Sequence, residues 1–214
     1  MRKPTILFAF LVLGLLLTGG VAMAITKTCT TNPCEGTPDN DTLFGTEESN
    51  QIRALGGNDT LLGRGARDTL VGGKGDDIEK GGAGNDQTSS GFPARAAGDD
   101  RIYGGDGDDN LVDYLGRNLY VGGEGDDVIS ASTFGNSRMR GGPGRDDLLG
   151  VSGNNKLIGG RGRDYRLNAS AGNDIIDASD GEKDHWVICG PGADTVYFDA
   201  GLDVPRGCES EHPE

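Results

Sequence analysis

The sequence is poor in the residues that build a conventional core or a catalytic centre. Aromatic residues make up 6% and apolar residues 34% of its 214 residues, so a conventional globular core would be thin. The only histidines are His185 and His212, and the four cysteines are expected to be bonded, which argues against zinc or copper. Neither H-E-x-x-H nor G-x-S-x-G occurs, so we predict that the protein is not an enzyme.

Positive charge is also scarce, because 20 Lys and Arg stand against 34 Asp and Glu and leave a net charge of −14. This acidity disfavours nucleic acid and anionic membranes as partners and favours cations. Low apolar content with high net charge is typical of disordered chains. A strict repeat in the sequence instead predicts order that depends on neutralising the acid. The protein or glycan partner stays open.

The first 24 residues have the features of a secretory signal peptide. Arg2 and Lys3 are followed by an apolar run over residues 6–17 and by the small-residue site Ala22-Met23-Ala24. The run is shorter than the about 20 residues that a membrane span needs. We therefore predict a secreted, extracellular protein with no membrane insertion after cleavage.

Four cysteines in an exported chain predict two disulfides, for which three pairings exist. Cys29 and Cys34 are close together at the start of the mature chain, and Cys189 and Cys208 flank its end. Pairing within each end is favoured, because a link between the ends would require a stacked rod to bring its termini together.

The repeat has a period of nine residues and is carried by aspartate or asparagine. The first block contains Asp41, Asn50, Asp59, Asp68, Asp77 and Asp86. After an interruption the positions are Asp100, Asp109, Asn118 and Asp127, then Asp146, Asn155 and Asp164, then Asp174, Asp184 and Asp194 at steps of ten. An extra residue within 131–136 accounts for the longer step before Asp146 and brings Met139 into register. A fixed period of this length predicts stacked units that share one continuous core.

One large apolar residue follows two positions after most of these residues, as in Leu43, Ile52 and Leu61. One such residue per nine suits very short strands whose inward side chains stack, and it predicts a narrow parallel solenoid with glycine turns. Glu79, Thr88 and Arg166 interrupt the apolar column, and local fraying is expected there.

Three segments carry a motif of a known family. The letters GGKGDD at 72–77, GGDGDD at 104–109 and GGEGDD at 122–127 resemble the RTX, or haemolysin-type, calcium-binding nonapeptide G-G-x-G-x-D-x-U-x. The resemblance covers about residues 39–196. Residues 189–209 resemble the closing segment of secreted actinobacterial calcium-binding proteins.

The resemblance implies an all-β, right-handed parallel β-roll with two nonapeptides per coil and several Ca²⁺ ions between successive turns. It implies ligands in pairs one coil apart, such as Asp41 with Asp59 or Asp109 with Asp127, completed by backbone carbonyls. The implied metal ligands are Asp41, Asp59, Asp68, Asp77, Asp86, Asp100, Asp109, Asp127, Asp146, Asp164, Asp174 and Asp194. Weaker sites are expected at Asn50, Asn118, Asn155 and Asp184.

Calcium also fits the residues themselves, since carboxylates on irregular glycine loops suit a flexible ion with six to eight oxygen ligands. Without such an ion, stacked carboxylates would repel one another.

The predicted organisation has six parts. They are the signal peptide 1–24, a disulfide-stapled cap 25–38, repeat block 39–87, an insertion 88–97, repeat block 98–196 and a disulfide-closed tail 197–214. The function predicted is a secreted calcium-binding repeat protein of structural or adhesive type that folds on extracellular Ca²⁺. The alternative is an accessory or degenerate module of a secreted RTX hydrolase.

Overall fold

Short β-strands form all the regular structure in the part of the chain that can be described. The computed structural model describes residues 23–89, 98–113, 115–131 and 135–214. Its strands are β1 (Thr26–Thr28), β2 (Cys34–Glu35), β3 (Thr42–Phe44), β4 (Gln51–Gly56), β5 (Thr60–Gly65), β6 (Thr69–Lys74), β7 (Ile78–Ala83), β8 (Gln87–Ser89), β9 (Arg101–Asp106), β10 (Asn110–Val112), β11 (Leu119–Glu124), β12 (Val128–Ser130), β13 (Arg138–Pro143), β14 (Asp147–Leu149), β15 (Lys156–Arg161), β16 (Arg166–Asn168), β17 (Ile175–Ala178), β18 (Val187–Ile188), β19 (Thr195–Phe198) and β20 (Ser210–Pro213).

These strands form two parallel sheets wound into a solenoid of about ten coils. The eleven-stranded sheet has the order β1-β3-β5-β7-β9-β11-β13-β15-β17-β19-β20, and the nine-stranded sheet runs through the even strands from β2 to β18. Successive coils stack in register: Leu43 pairs with Leu61 in the first sheet, and Ile52 pairs with Leu70 in the second. The prediction of an all-β parallel β-roll is confirmed.

The core is a single file of inward side chains from each sheet. In the eleven-stranded sheet Tyr120 pairs with Met139 and Met139 pairs with Leu157, and all three are buried. The burial of Met139 confirms that the chain regains its register after residues 131–136, of which residues 132–134 lie outside the described range. Since each inward side chain stacks on the equivalent residue of the next coil, neighbouring coils stabilise one another.

The prediction of local fraying at Glu79, Thr88 and Arg166, which interrupt the apolar column in the sequence, is wrong. Strand pairing runs without a break from Leu61 through Glu79 to Ile102, and Glu79 is buried. At the third position the inward residue is Leu167, one residue later than the spacing predicts. Arg166 therefore points outward, where its guanidinium pairs with Asp147 at 2.7 Å.

Each end of the roll is closed by a disulfide. Cys29 is bonded to Cys34, and Cys189 is bonded to Cys208, with Cα–Cα distances of 5.3 and 5.2 Å, so the favoured pairing is confirmed. The tail assigned to residues 197–214 contributes β20, which pairs with β19 and extends the eleven-stranded sheet. Tail and repeats therefore form one continuous sheet.

Two predicted segments fall largely outside the described residues. The signal peptide prediction concerns residues 1–24, of which 1–22 are not described, and the insertion prediction concerns residues 88–97, of which 90–97 are not described. Residues 88 and 89 belong to strand β8. Within the described ranges, no helix has the length and apolar character needed to cross a membrane.

Because the inward column supplies the apolar core, truncating one of its residues should be costly. We expect Leu157→Ala to lower the free energy of unfolding in calcium by about 2–5 kcal/mol. Urea denaturation measures this loss. Ile158→Ala, on the half-buried outward side of the same strand, is the matched control and should cost clearly less. Equal losses for the two variants would contradict the assignment of the core.

Candidate metal centre

The Gly-rich loops make room for an aspartate that folds back over its own turn. In the loop that ends at Asp127, a Cβ built on Gly122 would collide with Asp127 Oδ2. Gly123 has φ +128°, and a Cβ there would collide with the carbonyl oxygen of Gly105 in the preceding coil. Glycine at these positions therefore lets the carboxylate sit inside the turn while neighbouring loops stay in contact.

The acid positions form two rows along the solenoid, one on each side of the sheets. Edge I consists of Asp41, Asp59, Asp77, Asp100, Asn118, Ser137, Asn155, Asp174, Asp194 and Glu209, which precede strands of the eleven-stranded sheet. Edge II consists of Asn50, Asp68, Asp86, Asp109, Asp127, Asp146, Asp164, Asp184 and Asp203. Every predicted ligand position lies on one of these two edges.

A repeated hydrogen bond connects the members of each edge. The backbone N–H of Asp59 donates to Asp77 Oδ1 at 2.8 Å, and that of Asp109 donates to Asp127 Oδ1 at 2.9 Å. The same bond joins Asp146 to Asp164 at 2.9 Å. One carboxylate oxygen of each repeat is thus used to stack the coils, and the predicted ligand pairs are neighbours in space.

The second carboxylate oxygen of most repeats is buried without a hydrogen-bond partner. These atoms are the Oδ2 oxygens of Asp59, Asp68, Asp77, Asp86, Asp109, Asp127, Asp146, Asp174 and Asp194. Burying an unpaired carboxylate oxygen is unfavourable unless a cation or proton satisfies it. A row of orphaned oxygens on glycine turns is the donor set that Ca²⁺ prefers, so the residues present fit this ion.

Carbonyl oxygens would have to complete the coordination of each ion. Among the described residues, no group of three Asp, Glu, His or Cys side chains is arranged to hold a metal. Carboxylates of two successive coils together with loop carbonyls would supply the six to eight oxygens that Ca²⁺ takes. The turns therefore suit Ca²⁺ better than a metal that demands several side-chain ligands.

The electrostatics of the edges also favour a cation. Burial raises the pKa of Asp77 to about 7, and the nearby carboxylates of Asp59, Asp113 and Asp76 add to the rise. Burial together with neighbouring carboxylates raises the pKa of Asp127 and of Asp164 to about 8. These shifts mean that without a metal the charged form of the edges is disfavoured near neutral pH.

At edge I, the asparagine side chains donate hydrogen bonds to their own loops in addition to presenting an uncharged oxygen to a metal. Asn155 Nδ2 donates to the carbonyl oxygens of Gly153 at 3.1 Å and Ser152 at 3.5 Å in its own loop. Asn118 Nδ2 likewise donates to the carbonyl of Leu115 at 3.2 Å. The amide thus satisfies loop oxygens that would otherwise face an ion, and such a turn can close without metal.

The start and the middle of edge I contain features that the nine-residue pattern does not reveal. At the start, both carboxylate oxygens of Asp41 already accept backbone N–H groups, from Ile25 at 2.7 Å and Thr37 at 2.5 Å.

In the middle of edge I, Ser137 occupies the place of an aspartate, and its backbone N–H donates to Asn155 Oδ1. Counting back eighteen residues from Asn155 would have found Ser137, but the irregular step after Asp127 hides it.

The C-terminal ends of both edges were also missed. Asp184 donates its N–H to Asp203 Oδ1 at 2.8 Å on edge II, and Asp194 donates to Glu209 Oε2 at 2.9 Å on edge I. Asp203 follows Asp194 by nine residues, so one more step of the repeat would have found it, whereas Glu209 lies only 15 residues after Asp194 and no repeat points to it.

A single substitution should convert a metal-free turn into a binding turn. Asn155→Asp removes the amide donors and adds a carboxylate next to Asp174, so we expect one more bound Ca²⁺ per chain. Equilibrium dialysis of the parent chain and the variant measures the difference. Asn154→Asp is the matched control, because it adds the same charge at the exposed neighbouring residue. An equal gain in the control would contradict the role of Asn155.

The raised pKa values predict opposite pH dependence with and without metal. Because the folded pKa values of Asp127 and Asp164 lie above the ordinary value of about 3.9, the metal-free fold binds more protons than the unfolded chain. Its stability should therefore be highest in acid and fall as the pH rises from about 4 to about 8. Circular dichroism in EDTA should show more β-structure at pH 5 than at pH 8. Calcium affinity should instead weaken on acidification, since the ion competes with protons. A β-sheet signal in EDTA that rises with pH would contradict the predicted loss of stability of the metal-free fold.

Comparison with known proteins agrees with this geometry. No curated protein and no solved structure matches the chain significantly. The family description RTX calcium-binding nonapeptide repeat (4 copies) matches residues 35–70, 63–91, 96–129, 140–165 and 166–182. These ranges cover more than half of the chain and include most of both edges. The chain belongs to the RTX calcium-binding nonapeptide repeat family, whose repeats bind Ca²⁺ at multiple sites.

Proposed function

We propose that this protein is a secreted calcium-binding rod that folds on extracellular Ca²⁺ and serves a structural or adhesive role. The observation that carries the proposal is the row of buried, unpartnered Oδ2 atoms on both edges. Without a cation, these atoms and a net charge of −14 oppose a compact fold. With Ca²⁺ bound, the same atoms join one coil to the next.

Secretion is supported by the N-terminal sequence and by the two disulfides, which persist in oxidising compartments. Extracellular calcium modules work at dissociation constants of about 10⁻⁴–10⁻³ M. Affinity in that range would leave the chain largely metal-free at low cytosolic calcium and loaded outside the cell. Folding would therefore be coupled to export.

An adhesive role is supported by the outward face of the eleven-stranded sheet. Several exposed cations lie on the strands of this sheet in a chain of net negative charge, among them Lys80, Arg101, Arg138, Arg140 and Lys156. Arg138 stands directly beside Lys156 on the paired strand. Like charges on paired strands destabilise a sheet, so this arrangement costs stability and suits contact with an anionic partner.

The second candidate, an accessory or degenerate module of a secreted hydrolase, has one observation in its favour. Ser210 Oγ lies 3.1 Å from His212 Nε2. The two residues are two positions apart on the exposed terminal strand β20, and the His212 ring stacks on Tyr197. A nucleophile needs a base that is itself oriented by a third group in a sheltered site, so the calcium-binding role is the better supported proposal.

Removing calcium should unfold the rod at neutral pH. We expect the β-sheet signal of residues 25–214 in circular dichroism to be lost in EDTA and restored by millimolar CaCl₂, because the metal-free edges repel. Equimolar MgCl₂ is the control and should restore less, since Mg²⁺ demands a regular octahedral shell. A spectrum that is the same before and after chelation would contradict calcium-dependent folding.

A further inference from the structure

The apolar core of the roll is divided in two by one polar coil. The N-terminal cluster ends at Leu61 and Leu70, and the C-terminal cluster begins at Ile102 and Leu111. The coil between them has Glu79 and Thr88 as its inward residues, 2% and 0% exposed. The backbone pairs normally through this coil, so the polar interior is a property of the side chains.

Glu79 is placed beside the carboxylate of edge I in its own coil. Its Oε1 accepts the backbone N–H of Gly72 at 2.7 Å, while its Oε2 is buried and has no partner. A Cβ on Gly72 would meet both Asp77 Oδ2 and Glu79 Oε1, so the two carboxylates approach the same glycine. Asp77 Oδ2 is also buried without a partner.

Two further carboxyl groups come from the next two coils. Asp100 follows Asp77 in the edge I ladder, and its Oδ1 accepts the Asp77 N–H at 2.7 Å. Asp113 lies five residues before Asn118, in the place where Gly72 precedes Asp77, and it is 1% exposed. Asn118 Nδ2 donates to Asp113 Oδ2 at 2.7 Å. Four carboxyl groups thus lie near one step of edge I, where a regular repeat provides two, although the described side chains are not arranged to hold a metal as they stand.

The charges of these groups act on one another. Glu79 is 2% exposed and Asp113 is 1% exposed, so both carboxyl groups are buried near Asp77 and Asp100. Such a concentration of buried acid is unfavourable without a counter-charge. A hydrophobic residue at position 79 and glycine at position 113 would match most other repeats, so this part of the roll departs from the common pattern at both positions.

We propose that Glu79 and Asp113 join Asp77 and Asp100 in a calcium site on edge I that binds the ion more tightly than the regular repeats do. The inference rests on the proposed calcium-binding function and names the residues that give one site a higher calcium affinity than the others. Calcium affinity rises with the number of charged ligands in a site. Binding requires the Glu79 and Asp113 side chains to turn toward the Asp77–Asp100 pair.

The position of this site gives it a role in assembly. It lies at the junction of the two apolar clusters, where polar side chains interrupt the apolar core. An ion held there would join the two halves of the rod at the lowest calcium concentration. The regular sites would then fill as the concentration increases.

The test is a calcium titration of the purified full chain by isothermal calorimetry, with the isosteric variants Glu79→Gln and Asp113→Asn. We expect the tightest class of sites to weaken by at least about tenfold in each variant, because each removes one charged ligand. The remaining sites should be unchanged. Glu124→Gln, an exposed residue of a regular repeat, is the matched control and should leave the tightest class unaltered.

A second variant keeps the test decisive if a single substitution impairs folding. Glu79→Leu with Asp113→Gly restores the common residues of the repeat, and the introduced leucine side chain would stack between Leu61 and Ile102. We expect this variant to lose the tight class and to keep more β-sheet signal in EDTA than the parent chain. Calcium binding with the tight class intact in these variants would overturn the inference and leave the proposed function standing. A parent chain that binds no calcium would overturn both.

Discussion

The structure depends on stacking one carboxylate directly over another at the spacing of a β-sheet, about 4.8 Å per coil. Each aspartate N–H bonds to the carboxylate of the next coil, as between Asp59 and Asp77, which sets the register of the coils. The same bond leaves the second oxygen buried and unpaired. The interaction that aligns the rod therefore also creates its need for a cation.

The need for a cation is unequal along the rod. On edge II, aspartates follow one another from Asp68 to Asp203. On edge I, three carboxylates in succession are replaced, by Asn118, Ser137 and Asn155, and the two amide groups satisfy loop oxygens directly. Toward the N-terminus, Glu79 and Asp113 concentrate acid around Asp77 and Asp100. The sequence repeat therefore contains two kinds of turn: turns with a buried, unpaired carboxylate oxygen and turns in which an amide group donates to loop carbonyls.

The fold was predictable because a solenoid repeats regularly: residues separated by a fixed number of positions in the sequence are separated by a fixed distance in space. The period of nine with one apolar residue per repeat predicted stacked short strands. The resemblance to the RTX nonapeptide, which implies two repeats per coil, then paired Asp109 with Asp127, and in the structure Leu61 lies over Leu43 in the same way. Prediction failed where the chain leaves this period. Leu167 takes the inward place expected of Arg166, because one extra residue precedes the strand. Glu209 closes edge I at a spacing of 15 residues that no repeat predicts.

The sequence by itself determined the stacked architecture, the acidic edges, the disulfide pairing and the preference for calcium, since each follows from local spacing and residue chemistry. The tertiary structure alone decided how each carboxylate is used. Which oxygen is bonded, which is buried without a partner, and whether an amide fills a turn depend on contacts between successive coils. It also decided that Glu79, a simple break in the sequence pattern, faces inward beside Asp77. Burial there gives the residue an electrostatic role that no linear pattern contains.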